Sequence, residues 1–403
     1  MLKRTNRLLT LALAALTALS LFASCSQVPP EGAAESTAPA ESGAAAAAAY
    51  TSGLESFDDF PHPRVVDSGL KVGYLVRSKN SEATIRSIQQ AEIEAAHRGW
   101  ELIPIIFEYD TNFRDSFQNL MNQGVDAVII GSTESMPAKQ DMIEDARRQG
   151  VGVYCNDVQI VNGCISNCTM PNGVGAMELL YKVCEDYGWN LGIGLVESQT
   201  TQIGRERMET MRGFIDGGAY PNLKILASQD WVQAGLSAAQ SSYEIAQTWL
   251  QQFGDELDCI MTSGDTIGIN AAEAVRQAGD PDGSKTFCVG MDGGTRAFAY
   301  IRNNTPFTYT YAQAFELYTH NCFEIIDAIQ VRGLAPGDEG CLISRAGETV
   351  YSTGLVITRE NCPAVGTNIH SLVEYSDPDD IGARYNWDDG PGIYKITEYI
   401  GDN

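Results

Sequence analysis

Between Lys71 and Cys155 short apolar runs alternate with longer stretches whose apolar positions recur at helical spacing. The runs Val72–Val76, Leu102–Phe107, Ala127–Ile130 and Gly152–Cys155 have the length and apolar density of buried strands. The stretch Ile85–Arg98 interleaves charge with Ile85, Ile88, Ala91, Ile93 and Ala95, a spacing that predicts a helix. Asp115–Gln123 stops at Gly124 and Ala138–Gln149 at Gly150, and a glycine there supplies the turn that ends a helix. The alternation restarts after about residue 172. Leu191–Val196, Lys224–Ala227, Cys259–Thr262 and Thr286–Met291 read as strands. Glu206–Asp216, Ala238–Phe253, Ile267–Gln277 and Arg296–Asn303 read as the helices among them. Strand–helix alternation predicts parallel sheets covered on both faces. A chain of 403 residues exceeds one ordinary core, and two successive units of similar size predict two α/β lobes.

Open parallel sheets bind ligands beyond the carboxyl ends of their strands. The segments to inspect are therefore those just after each strand: Arg77–Glu82, Thr133–Ser135, Asn156–Asp157, Ser198–Arg207, Gln229–Trp231, Ser263–Asp265 and Asp292–Thr295. Asp265 follows a strand and opens a helix, so an N-cap role is favoured over direct ligand contact. Asp292 is the first polar residue after an apolar strand and precedes Gly293-Gly294. An Asx-turn explains such an aspartate, but an acceptor at a strand end faces the cleft, and the ligand role is favoured.

The N-terminus changes the picture. Lys3, Arg4 and Arg7 precede an apolar run from Leu8 to about Ala23, and Ala23-Ser24 supply small residues before Cys25. The run is short for a membrane span. The stretch resembles a bacterial lipoprotein signal, with Cys25 as the lipidated residue, although Phe22 stands where such signals usually carry Leu. Residues 25–69 read as tether and lead-in, rich at first in Ala, Ser, Glu, Pro and Gly, a composition that cannot bury a core. Removing Cys25 from ten cysteines leaves nine, an odd number without a C-x-x-C pair, so no zinc pattern exists. Cys155, Cys164 and Cys168 lie close enough to hold one disulfide, with the pairing open. Cys259 and Cys288 read as buried packing residues. Acidic residues outnumber basic ones 52 to 27, which argues against nucleic acid as a partner.

The order of several segments then carries a specific resemblance. These are Lys71-Val72-Gly73-Tyr74-Leu75-Val76, Asn122-Gln123-Gly124-Val125-Asp126-Ala127-Val128-Ile129-Ile130, Gly204-Arg205-Glu206-Arg207 with Gly213-Phe214, Asp265 with Ala271-Ala272, Val289-Gly290-Met291-Asp292-Gly293 and Ala312-Gln313. From about Lys71 to about residue 345 the chain resembles the periplasmic sugar-binding proteins of the ribose-binding type. The resemblance implies two Rossmann-like lobes joined by a three-strand hinge, closing on a ligand that is passed to the permease of an ABC importer. It implies lobes at 70–171 plus 313–345 and at 172–312 plus about 346–403, with hinge crossings near 170, 312 and 345. Residue by residue it implies ligand contacts at Asp157 with its neighbour Asn156, at Arg205 or Arg207, near Trp231, and at Asp265, Asp292 and the hinge residue Gln313. These types suit a sugar, because carboxylates and amides bond hydroxyls and an aromatic face covers C–H groups. The departures put a plain pentose in doubt. The loop Arg77–Ala83 has no aromatic, Val158 stands where an arginine often follows the aspartate, and Gly264 stands where an asparagine often precedes Asp265. Arg77 and Lys79 face either an anionic ligand group or solvent. The tail from Ala346 carries Tyr351, Tyr375, Tyr385, Trp387 and Tyr394 beyond the family's usual end.

The expected molecule is a monomeric, membrane-anchored solute binder without cofactor or metal, at the outer face of the cell membrane or in the periplasm. A receptor presenting its ligand to a membrane sensor, or a binder of a nucleoside or other non-sugar solute, stays open. An enzyme is disfavoured, since no G-x-S-x-G, H-E-x-x-H or Walker A motif is present and His62, His97, His320 and His370 are scattered. A repressor of similar core needs an N-terminal DNA-binding domain where this chain has a signal and tether.

Overall fold

A computed structural model of the protein describes residues 57–77, 81–107, 110–131, 135–233 and 235–367. The signal segment, Cys25, most of the tether, Lys79 and the aromatic tail from 368 onward lie outside the described residues.

The first sheet holds β1 (Lys71–Arg77), β2 (Glu101–Phe107), β3 (Ala127–Gly131), β4 (Gly152–Asn156), β5 (Ser166–Thr169) and β11 (Glu348–Tyr351), in the order β11-β5-β4-β3-β1-β2. All its pairings are parallel. The second holds β6 (Gly192–Glu197), β7 (Lys224–Asp230), β8 (Cys259–Thr262), β9 (Phe287–Asp292), β10 (Phe307–Ala312) and β12 (Leu355–Ile357), in the order β12-β10-β9-β8-β6-β7. Only the short edge strand β12 runs antiparallel. In both sheets the chain order reverses beside the first strand, between β1 and β3 and between β6 and β8, and such reversals open a crevice for ligands.

Helices α1 (Glu82–Arg98), α2 (Phe113–Asn122), α3 (Gln140–Arg148) and α9 (Phe315–Ile326) serve the first sheet. Helices α4 (Asn172–Tyr187), α5 (Gln202–Asp216), α6 (Ala238–Phe253), α7 (Asp265–Gln277) and α8 (Thr295–Arg302) serve the second. Central strands β3, β4 and β8 are buried throughout, while edge strands β2 and β7 alternate with solvent. Helix ends obey local chemistry: α1 closes on Gly99 at φ 68°, and Ser237 and Gln240 form a reciprocal cap at the start of α6. The chain changes lobe between β5 and α4, at Gln313, and between β11 and β12. The last crossing thus falls at 352–354 rather than near 345, because Glu348–Tyr351 pairs with Ser166–Thr169 in the first sheet.

One buried network ties α1 to α9. Glu94 is fully buried, accepts from Gln90 Nε2 at 2.7 Å, pairs with His320 Nδ1 at 2.8 Å and contacts Arg98. Burial opposes ionisation, but His320, Arg98 and Gln90 outweigh it and hold the carboxyl down at about 2, below its ordinary 4.5. A carboxylate with a depressed folded pKa stabilises the fold above its unfolded pKa, and that contribution disappears as pH falls toward 2. Melting midpoints measured from pH 6 to pH 2 are therefore expected to fall less steeply in Glu94→Gln than in the wild-type chain, whatever the offset at pH 6. Parallel curves would show that Glu94 does not shape the acid limb.

Candidate functional site

Between the lobes, beyond the carboxyl ends of β1, β4, β6, β9 and β10, lies a cavity of about 180 Å³. The first lobe contributes Arg77, Ser81, Ala83, Asp157, Val158, Gln159 and Phe315. The second contributes Thr201, Gln202, Ile203, Arg207 and Asp292, and Gln313 lies at the crossing. The volume is below that of drug-sized pockets and fits a small solute.

Asp292 ends β9 at φ 149°, a conformation that side chains rarely adopt. Its Oδ1 accepts from Gln313 Nε2 at 2.8 Å and faces Arg207 Nη1 at 3.5 Å, and its Oδ2 accepts from the backbone N–H of Asp265 at 3.4 Å. None of these is an Asx-turn bond to its own loop. The turn is braced instead by Asp265, whose carboxylate accepts from Gly293 N at 2.8 Å, Gly294 N at 3.1 Å and Thr310 Oγ1 at 2.6 Å. Burial first, and the nearby Asp292 carboxylate second, push Asp265 up to about 7. The N-cap position of its own helix is Gly264, which has no side chain to cap with. Asp265 therefore stands behind the cavity wall and is neither an N-cap nor a lining residue. Gly293 has to be glycine: its φ is 73° and a Cβ would sit 2.3 Å from the Cα of Ala312.

Arg207 is buried and projects from α5. Its Nε donates to Asn172 Oδ1 at 2.8 Å and its Nη1 to the Ser263 carbonyl at 2.8 Å, which fix the guanidinium at the cavity floor. Arg205 points away and donates to the Gln199 carbonyl at 2.6 Å. Two residues apart on a helix, the arginines face opposite sides, so one of the two reaches the cleft. Asp157 follows β4 at φ 59°, anchored by its N–H to the Cys168 carbonyl at 2.8 Å and by Thr169. Burial raises its pKa, and Arg207 opposes the rise. Asn156 lies beneath the cavity, donating to Tyr74 Oη at 2.8 Å and Thr319 Oγ1 at 2.9 Å. It supports the site without lining it. Trp231 packs against the core of the second lobe and does not line the cavity either.

Gln313 is 1% exposed, and with its Nε2 given to Asp292 its Oε1 is buried without a partner. Gln202 Oε1, also at the cavity, has none either. Buried unpaired acceptors are costly and call for a donor. Phe315 supplies an aromatic surface that the sequence reading missed. It sits two residues past the hinge glutamine, with the Arg86 guanidinium 5.0 Å from its ring centroid. Across the lobes, Glu82 Oε1 accepts from Thr295 N at 2.6 Å, and Arg86 Nη1 donates to the Gly293 carbonyl at 3.3 Å. One face of α1 thus grips the loop that carries Asp292.

A family model described as periplasmic binding protein domain matches residues 80–330. The xylitol-binding protein of Mycolicibacterium smegmatis is 23% identical over 168 residues, 40% of this chain and 45% of that protein, so the chain spans less than half of that curated relative. Among solved structures, the binding component of the arabinose ABC transporter from Shewanella sp. ANA-3 has 20% identity and a TM-score of 0.62, with 72% of this chain and 93% of that one covered. The Caulobacter myo-inositol binding protein has 22% identity and a TM-score of 0.62, with 74% and 96% covered.

Proposed function

The chain belongs to the periplasmic binding protein domain family, and from that membership we propose that it captures a small neutral sugar or polyol between its lobes and delivers it to the permease of an ABC importer. The observation that carries this reading is the buried, unpartnered Oε1 of Gln313 beside an Asp292 carboxylate in a small interlobe cavity. Such a pair accepts hydroxyl donors. Among the described residues two arginines and two aspartates line the cavity, a balanced set that suits a neutral ligand. The names of the relatives point the same way, since arabinofuranose, myo-inositol and xylitol are all polyhydroxylated. The binding residues in this reading are Arg77, Asp157, Arg207, Asp292 and Gln313.

The test is a melting-shift screen against pentoses, hexoses, cyclitols, linear polyols and nucleosides, because a ligand that binds only the folded state raises its midpoint. A shift from a neutral hydroxylated solute is expected. A panel in which only nucleosides or charged solutes shift the midpoint would reassign the site.

Binding closes the lobes by rotation at the three crossings, near 170, at 313 and at 352–354. Small-angle scattering is expected to give a smaller radius of gyration at saturating ligand, and an unchanged radius removes the clamp. The chain works as a monomer, exported and held by lipid on Cys25 at the outer face of the cell membrane, or in the periplasm. Cys25→Ala is expected to move the protein from the membrane to the soluble fraction, because in this reading the acyl chains on that cysteine hold it there. Retention of that variant at the membrane would count against lipidation.

A further inference from the structure

Cys155 lies in β4 and Cys164 in the turn that leads to β5, and their Sγ atoms are 3.4 Å apart inside the first lobe. Both thiols are buried. The chain between them carries Asp157, Val158 and Gln159, which line the interlobe cavity. We propose that Cys155 and Cys164 form a disulfide when the protein folds outside the cytoplasm, stapling the Asp157 loop to the sheet. The inference rests on export and not on which solute is bound.

The backbone already holds the two residues side by side. Cys164 N–H donates to the Val161 carbonyl at 3.1 Å, Ile165 N–H donates to the Val153 carbonyl at 2.8 Å, and Arg147 Nη1 donates to the Gly163 carbonyl at 3.0 Å. A disulfide needs a sulfur separation of about 2.05 Å, and the two sulfurs stand at 3.4 Å. The Cys155 thiol, then the Val161 backbone and Arg147, favour the thiolate of Cys164 against the cost of burial. Two thiols lose two protons and two electrons as the S–S bond forms. The electrons pass to a disulfide oxidant, which leaves as two thiols after exchange through a mixed disulfide. Cys322 donates to the Cys155 carbonyl at 3.2 Å and not to its sulfur, and its thiol neighbours that of Cys168, so a Cys168–Cys322 link is the competing pairing. The staple restrains a loop whose key residue, Asp157, sits at φ 59°.

The test refolds the full chain in a glutathione redox buffer, blocks free thiols under denaturing conditions and cleaves before aspartate. Asp157 separates the two cysteines, so the fragment ending at Asn156 is expected to stay linked, reducibly, to the fragment beginning at Asp157. Tandem fragmentation is expected to place the link at Cys164. Blocked thiols at both positions, or a link at Cys168 or Cys184, overturns the proposal. Reductant is expected to lower the wild-type melting midpoint by about 4–8 °C and to lower that of a Cys155→Ser/Cys164→Ser chain by less. Equal shifts in the two chains overturn the staple. The mass map needs no variant, so it decides the bond even where the substituted chain does not fold.

Discussion

Asp292→Ala is expected to weaken binding of the cleft ligand by about a hundredfold or more while the protein stays folded. The carboxylate has roughly four acceptor positions, and Gln313, Arg207 and Asp265 N–H occupy three, two of them at 3.4–3.5 Å. One strong charge-assisted bond to a ligand hydroxyl is therefore available, worth about 1.5–3 kcal/mol, or about one to two decades of affinity. The substitution also frees the Gln313 amide and removes the anion facing Arg207, so two further contacts lose their aim. The expected stability cost is about 1 kcal/mol. Asp292→Asn keeps the shape and removes the charge, and it is expected to fall between the two. Titration calorimetry beside melting curves checks the series. Affinity within about threefold of wild type, under roughly 0.7 kcal/mol, with a lowered midpoint would mean that the carboxylate only shapes the turn.

The second large effect is on stability. Arg86 and Glu316 form a buried bidentate pair, with Nε to Oε1 at 2.6 Å and Nη2 to Oε2 at 2.7 Å. The side chains are 2% and 4% exposed. Removing one partner of such a pair strands the other charge in the interior and costs about 3–5 kcal/mol. Glu316→Ala is therefore expected to lower the melting midpoint by about 6–12 °C. Arg86 also donates to the Gln313 carbonyl at 3.0 Å and to the Gly293 carbonyl, on either side of the cleft. A loss of affinity, about tenfold and smaller than that of Asp292→Ala, is expected alongside. A midpoint within about 2 °C of wild type would show that water or other groups compensate the guanidinium.

The sequence made the two α/β lobes legible because their central strands are unbroken apolar runs and their helices stop at glycines such as Gly99 and Gly150. Ser166–Thr169 escaped because a buried strand written Ser-Asn-Cys-Thr has no apolar signature. Its burial comes from the neighbours on both sides, β4 and β11. The same hidden strand explains why the last crossing lies beyond 345. The cavity is lined from loops that follow the strands, but which residue of a loop faces it depends on details that spacing does not encode. Asp157 turns inward, while Asn156, one residue earlier, stays under the floor. The start of α5 at Gln202 decides between Arg205 and Arg207. Asp265 looked like a cap or a ligand residue and instead braces a turn 28 residues away in sequence. Phe315 carried no motif at all; only the path of the chain after Gln313 brings it to the cavity.

The most direct test of the account is titration calorimetry of the protein with the neutral sugar or polyol that raises its melting midpoint most. One site per chain is predicted, with binding about a hundredfold or more weaker in Asp292→Ala and weakened when the same solute carries a phosphate, because the charges of the described lining already balance. Binding that survives Asp292→Ala unchanged, or a phosphorylated form that binds more tightly than the neutral one, would contradict it.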